Sequence, residues 1–183
     1  MLGSNVCELK LHRLAIEELD GGSSVKLAVL DGDQVVEVEG HGVGLVDALF
    51  AALLERYARE YQSLNTLQLT GFQVVADIET KQGSAGVDSI ARVILDISNS
   101  EGRIFSFADA SRSVTSSTAR AVLAMVSYFV NAERAFLTLY NARRDALARG
   151  REDLVSRYTA EMAAVVESTS QAEVIANIRK EIG

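Results

Sequence analysis

Two histidines, one cysteine and two short corners rich in glycine or serine are where this chain could do chemistry. His12 and His41 belong to no H-x-H or H-E-x-x-H pattern. Zinc or di-iron ligation needs three or four donors converging from rigid elements, and no such set is apparent, so no metal site is expected. His12 falls in a strand, where a surface or packing role is the economical account. A cysteine or serine nucleophile needs a base within reach. No G-x-S-x-G occurs, and Cys7, near the chain start, reads as inert. The run Gly40-His41-Gly42-Val43-Gly44 precedes a helix and invites a phosphate, because helix N-termini present free N–H groups and partial positive charge. It lacks the Lys-Ser/Thr of a Walker loop, follows an antiparallel strand, and puts Asp47 in the first helical turn. A tight corner where side chains would clash is the plainer explanation. The second corner, residues 110–118, could hold an anion through Arg112 and its hydroxyls, or could simply be a capped helix start. Glu133 and Arg134 suggest an intrahelical neighbour pair or a dimer salt bridge. No catalytic residue and no cofactor are expected.

The elements that must position these residues can be read from periodicity. Val25, Leu27 and Val29 alternate with Lys26 and Ala28, and Val36 and Val38 alternate with Glu37 and Glu39. Asp31-Gly32-Asp33 between them signals a tight turn. Residues 5–40 therefore read as three antiparallel strands. Val46, Leu49, Phe50, Leu53, Leu54, Tyr57 and Tyr61 then recur at helical spacing. The pattern restarts with Leu67, Leu69, Phe72, Val74, Ala76 and Ile78 in a strand whose register slips near Gly71, the mark of a bulge. Ala91, Val93, Leu95 and Ile97 alternate next, residues 99–102 turn, and residues 104–107 give the third strand. A helix from about Ser116 carries Val122, Met125, Phe129, Ala132, Phe136 and Tyr140. The fold class is therefore α+β: two βββα repeats, 5–62 and 66–149, related by a pseudo-two-fold and together forming a domain over 5–149. A helical tail, 151–183, follows. Leu154, Val155, Tyr158, Met162, Val165 and Val166 mark one helix there, and Ser170 with Glu173 forms a capping box for another.

Composition narrows the function. Hydrophobic residues make 48% and charged residues 23% of the chain, ordinary for a globular domain with a sizeable core. The net charge of −7 and a pI near 4.9, with Lys and Arg scattered, argue against a nucleic-acid partner. A single cysteine builds no disulfide framework and fits a reducing cytoplasm. Neither a signal-peptide pattern nor a charge-free apolar run of about 18 residues is apparent, so no membrane partner is expected.

The first corner and its continuation, Gly40-His41-Gly42-Val43-Gly44-Leu45-Val46-Asp47-Ala48, resemble the G-x-G-P-V-D-A signature of one family. That family is the C-terminal regulatory domain of the α-isopropylmalate and citramalate synthases. Leu69-Thr70-Gly71-Phe72-Gln73-Val74 resembles its L-x-x-Y-x-V strand, and residues 87–93 stand where the family has a T-D-A loop. Asp109 to Ser113, with the helix through Asn131, occupies the place of its D-I-x-x-A-S segment and of the helix ending in Asn. The resemblance spans roughly residues 6 to 140. In this chain Gly-Val-Gly-Leu replaces the family's Gly-Pro, Phe72 replaces a tyrosine, and serines replace the second corner's glycines. The catalytic (β/α)8 barrel has no counterpart here.

The resemblance implies a non-catalytic regulatory and dimerisation module of leucine biosynthesis, standing alone, homodimeric and cytoplasmic, that could act on a partner synthase. It implies a branched-chain amino acid such as leucine or isoleucine, or a related metabolite, bound near the dimer interface. Leu69, Phe72 and Ala76 are the apolar candidates, with plain core packing as the other account of Leu69 and Phe72. Exposed N–H groups near Gly42, Gly44 and Ser113 could receive the ligand's polar end. A purely structural oligomerisation domain, or an enzyme using Arg112 on a phosphorylated substrate, remains an alternative.

Overall fold

Apolar alternation is converted into two separate three-stranded sheets. The computed structural model describes residues 6–76 and 90–167. Ile78, the start of the loop at 87–89 and the second tail helix with Ser170 and Glu173 lie outside the described residues.

Leu9–Leu19 (β1), Gly22–Asp31 (β2) and Gln34–Gly42 (β3) form an antiparallel sheet in the order β1-β2-β3. Val25, Leu27 and Val29 are buried, and the alternate Lys26 is exposed. Ala28, on the outer side, is also buried, because Arg13 and Glu37 flank it in register and form an ion pair at 2.8 Å across it. The β2–β3 loop has two residues, with Gly32 at φ +61°, a position glycine fills without strain. Such a loop closes on a hydrogen-bonded pair, here Asp31 and Gln34. Val36, Val38, Gly40 and Gly42 therefore exchange backbone bonds with β2. Val35, Glu37, Glu39 and His41 turn theirs toward the open edge. β3 thus runs two residues further than the hydrophobic pattern suggests and takes in most of the first glycine run.

Leu45–Tyr57 (α1) buries Ala48, Leu49, Ala52, Leu53 and Tyr57 against β2 and β3. A 3-10 turn, Gln62–Thr66, leads to Gln68–Ala76 (β4), Ala91–Ser98 (β5) and Ile104–Ser111 (β6), a second antiparallel sheet in the order β4-β5-β6. β6 extends past the expected Phe107 because Asp109 pairs with Val93 and Ser111 with Ala91, a polar continuation that hydropathy does not reveal. Val114–Ala148 (α2) follows, capped by Ser113, whose side chain accepts the Ser116 N–H. Its far end closes in a Schellman arrangement: Arg151 N–H reaches Ala146 O, Gly150 N–H reaches Leu147 O, and Gly150 has φ +67°. Glu152–Glu167 (α3) returns along α2, and Arg143 Nε bonds Thr159 Oγ1 at 2.8 Å between them.

The doubled βββα order is observed, with a further helix after it. Both halves also carry a bulge near the start of their first strand, between Leu11 and Arg13 and between Leu69 and Gly71. The helices do not divide the sheets evenly. α1 covers β2 and β3, whereas α2 packs on β5 and β6 and on β1 as well. Val122, Met125 and Phe129 of α2 are fully buried in the shared core, and Phe105 and Phe107 meet Phe129 edge-on or tilted at 5.3 and 6.2 Å. α2 is long and apolar enough to cross a bilayer, yet half of its most apolar window is buried in the fold, as a core helix requires.

α1 was expected to reach Tyr61 but stops at Tyr57. Tyr61 is extended (ψ 96°) and buried, because its phenol is held by Arg134 of α2. Tertiary hydrogen bonds override local periodicity here.

Candidate functional site

β4 carries the three apolar candidates, and the bulge explains how they share a face. Leu69 lies opposite Ile97, and Phe72 lies opposite Leu95. Residues three apart in a regular strand point to opposite sides. The extra residue, Thr70, whose hydroxyl bonds Asp96 O, restores them to one face. Val74 opposite Val93 and Ala76 opposite Ala91 continue that face, which is the one α2 covers over β5 and β6. Leu69 is half-buried and packs on the core. Phe72 and Val74 remain 41% and 46% exposed, and Ala76 is exposed as well. β4 therefore presents an apolar strip on the helix side of the sheet that no helix among the described residues covers.

The first corner is a packing device. A Cβ on Gly42 would lie 2.5 Å from Ala48 N and 2.6 Å from the Asp47 Cβ. One on Gly40 would lie 2.6 Å from Ala52 N and run into the Ala48 carbonyl oxygen. The glycines let α1 sit directly on β3. Gly42 belongs to the β2–β3 ladder, and Gly44 caps α1, where an added Cβ would meet no atom within 4 Å.

The second corner is closed by its own hydroxyls. Ser113 donates its N–H to Ser111 Oγ, and Ser111 Oγ shares a proton with Ser117 Oγ at 2.8 Å. Arg120 donates twice to Asp109 Oδ2, at 3.0 and 2.8 Å. Burial pushes the Asp109 carboxyl up, but the hydrogen bonds from Arg120 and Ser117 outweigh it and hold the group below the usual carboxylate range. Arg112 is exposed. Ala76, Ala91 and Ser111 form one row across the second sheet, so Ser113 stands at the same end as Ala76. Gly42 and Gly44 belong to the corner of the first sheet.

Sequence reasoning missed the polar junction between α2 and the connector after α1. Glu133 is not a surface ion pair but is buried. Its carboxylate accepts the N–H groups of Gln62 and Ser63 and the Ser63 hydroxyl, the last at 2.7 Å. Arg134 donates to Tyr61 Oη and lies 5.2 Å from that ring's centre. Asn131 clasps Cys7 through both backbone groups, at 2.7 and 2.8 Å, so Cys7 is buried and held rather than frayed. Burial, with Asp31 close by, pushes the Cys7 thiol up, away from nucleophilic character. The same two causes raise the Tyr57 phenol, which donates to Asp31 Oδ2. The contacts of Glu133, Arg134 and Asn131 join residues 70 to 124 positions apart, which no local pattern encodes. Among the described residues no three His, Cys, Asp or Glu side chains come together as a metal site.

A doubled βββα unit followed by a further helix, with an apolar strand left exposed among the described residues, defines the class of fold. Residues 3–130 match the family model of the LeuA allosteric (dimerisation) domain, and the chain belongs to that family. It is accordingly a regulatory or dimerisation module. The match covers more than two thirds of the 183 residues and ends within α2. No curated protein matches the chain.

Proposed function

We propose that this chain is a non-catalytic, homodimeric control module of the cytoplasm. A second copy covers the apolar strip of β4, and a small branched-chain amino acid or related metabolite binds beside it. The observation that carries this reading is the exposure of Phe72 and Val74 on the helix side of β4, in a domain of a dimerisation family. Burying such side chains contributes about 1.5–3 kcal/mol each. Leu69, Phe72 and Ala76 would form the apolar wall of the ligand site, and the polar end would face the corners at Gly42, Gly44 and Ser113. A synthase of the same pathway is the partner that the module would control. Such coupling requires the ligand to favour one state of the dimer over another.

Sedimentation velocity tests the dimer: Phe72→Asp with Val74→Asp should give monomers, and an unchanged sedimentation coefficient would remove this interface. Calorimetric titration with leucine, isoleucine and valine tests the ligand. The structural-oligomer reading is favoured by one observation, the internal use of the Ser113 N–H and of the corner hydroxyls. A stable dimer that gives no heat with any of the three amino acids would establish that reading instead.

A further inference from the structure

A groove of about 330 Å³ runs between the free edge of β3 and α1, floored by Val38 and Ala52. Glu37 and Glu39 line one wall, and Glu55, Arg56 and Arg59 the other. Among the described residues β3 ends the first sheet, so the N–H and C=O groups of Val35, Glu37, Glu39 and His41 face this side. A strand edge beside a helix is the arrangement in which proteins accept an added strand, with main-chain bonds giving affinity and alternate side chains giving selectivity.

We propose that this edge docks an extended segment of a partner protein with basic side chains on one face and acidic or small apolar ones on the other. The charge pattern sets both preferences. On the outer face the added strand would lie beside Glu37 and Glu39. Each is already paired once on its other side, Glu37 with Arg13 at 2.8 Å and Glu39 with Lys26 at 3.1 Å. All four groups are largely exposed, and a carboxylate accepts several hydrogen bonds, so a second cation completes each ladder. On the inner face the strand would pass the small Ala52, Glu55 and Arg56 of α1, and Arg59 just beyond its end. Glu55 is engaged with Arg59 at 3.4 Å, and Arg56 lies over the Tyr57 ring, which leaves the Arg56 guanidinium as the cation offered to an acidic group. A second copy of β3 fits poorly. Antiparallel self-pairing centred on Val38 sets Glu37 against Glu39, and neighbouring registers set each glutamate against itself, like charges that repel.

The test uses the full chain and two fluorescent eight-residue peptides of identical composition. One alternates lysine with aspartate and alanine, which segregates charge by face; the other carries the same residues in blocks. The alternating peptide should bind saturably and at least about tenfold tighter than the block peptide, and Glu37→Lys with Glu39→Lys should remove that preference. Amide exchange at Val35, Glu37, Glu39 and His41 should slow on binding, as strand pairing demands and surface attraction does not. Equal binding of the two peptides, binding without slowed exchange, or no binding would each overturn the proposal. So would a change in oligomeric state on making the double substitution, since a second copy would then hold the edge.

Discussion

Glu133 is the residue on which the junction of the two halves depends. Its buried carboxylate receives three donors from the connector after α1. Removing it strands those donors, so Glu133→Ala should lower unfolding stability by about 3 kcal/mol in a urea titration. Glu133→Gln should cost less, because the amide oxygen can still serve Ser63 while the NH2 faces the Gln62 N–H. Asp109 gives a second prediction at this scale. Its folded-state pKa is depressed, so its stabilisation is fully present above the unfolded carboxyl value of about 3.9 and is lost as pH falls through the lower folded value. The gap between the parent chain and Asp109→Asn, measured by thermal melting, should therefore be widest near neutrality and close in acid. Neither role could be read from sequence. Glu133 and Arg134 look like neighbours on one helix, and their true partners lie about seventy residues away. Cys7, expected near a frayed end, is instead buried and clasped by Asn131.

At the level of elements, the glycines of the first corner separate packing from capping. Gly42→Ala should force α1 away from β3 and cost about 1–3 kcal/mol, as overpacking does. Gly44→Ala meets no atom, has an extended φ of −156°, and should change the melting midpoint little, within about 0.5 kcal/mol. Equal effects of the two would contradict the packing role. This corner was legible, because glycines between a strand and an amphipathic helix have few other uses. The strands were legible too, down to the slip near Gly71, since alternation is direct evidence of a two-sided environment. Their ends were not: β3 runs on through Gly40 and Gly42, and β6 runs on through Asp109, where backbone pairing persists after hydropathy stops alternating. α1 ended early for the opposite reason, because Tyr61 keeps the helical period but is claimed by Arg134.

For the whole molecule, the sequence suggested one helix per sheet, and the structure assigns α2 to parts of both. That division leaves β4 without a helix over it among the described residues and cannot be inferred from periodicity, which shows that a helix has a buried face but not what buries it. The candidates on β4 were found through family likeness, and the bulge supplies the physical reason that they face one way. Beyond residue 130, α2 continues past the matched domain and pairs with α3, burying Leu139 and Ala146. Leu139→Ala should cost the helical pair about 2–5 kcal/mol and speed amide exchange in α3 while β5 keeps its protection. Uniform acceleration throughout the chain would show instead that the pair and the sheets unfold as one. The continuity of α2 has a mechanical consequence. A helix of 35 residues is a rod about 50 Å long, clamped at one end between two sheets and free of them at the other. Beyond Arg134, the last residue tied to the first half, the arm at 1.5 Å per residue is about 21 Å, so a tilt of about 5° at the clamp displaces its tip by about 2 Å. Small adjustments where the sheets grip this lever are thereby magnified at the far end, where α3 turns back.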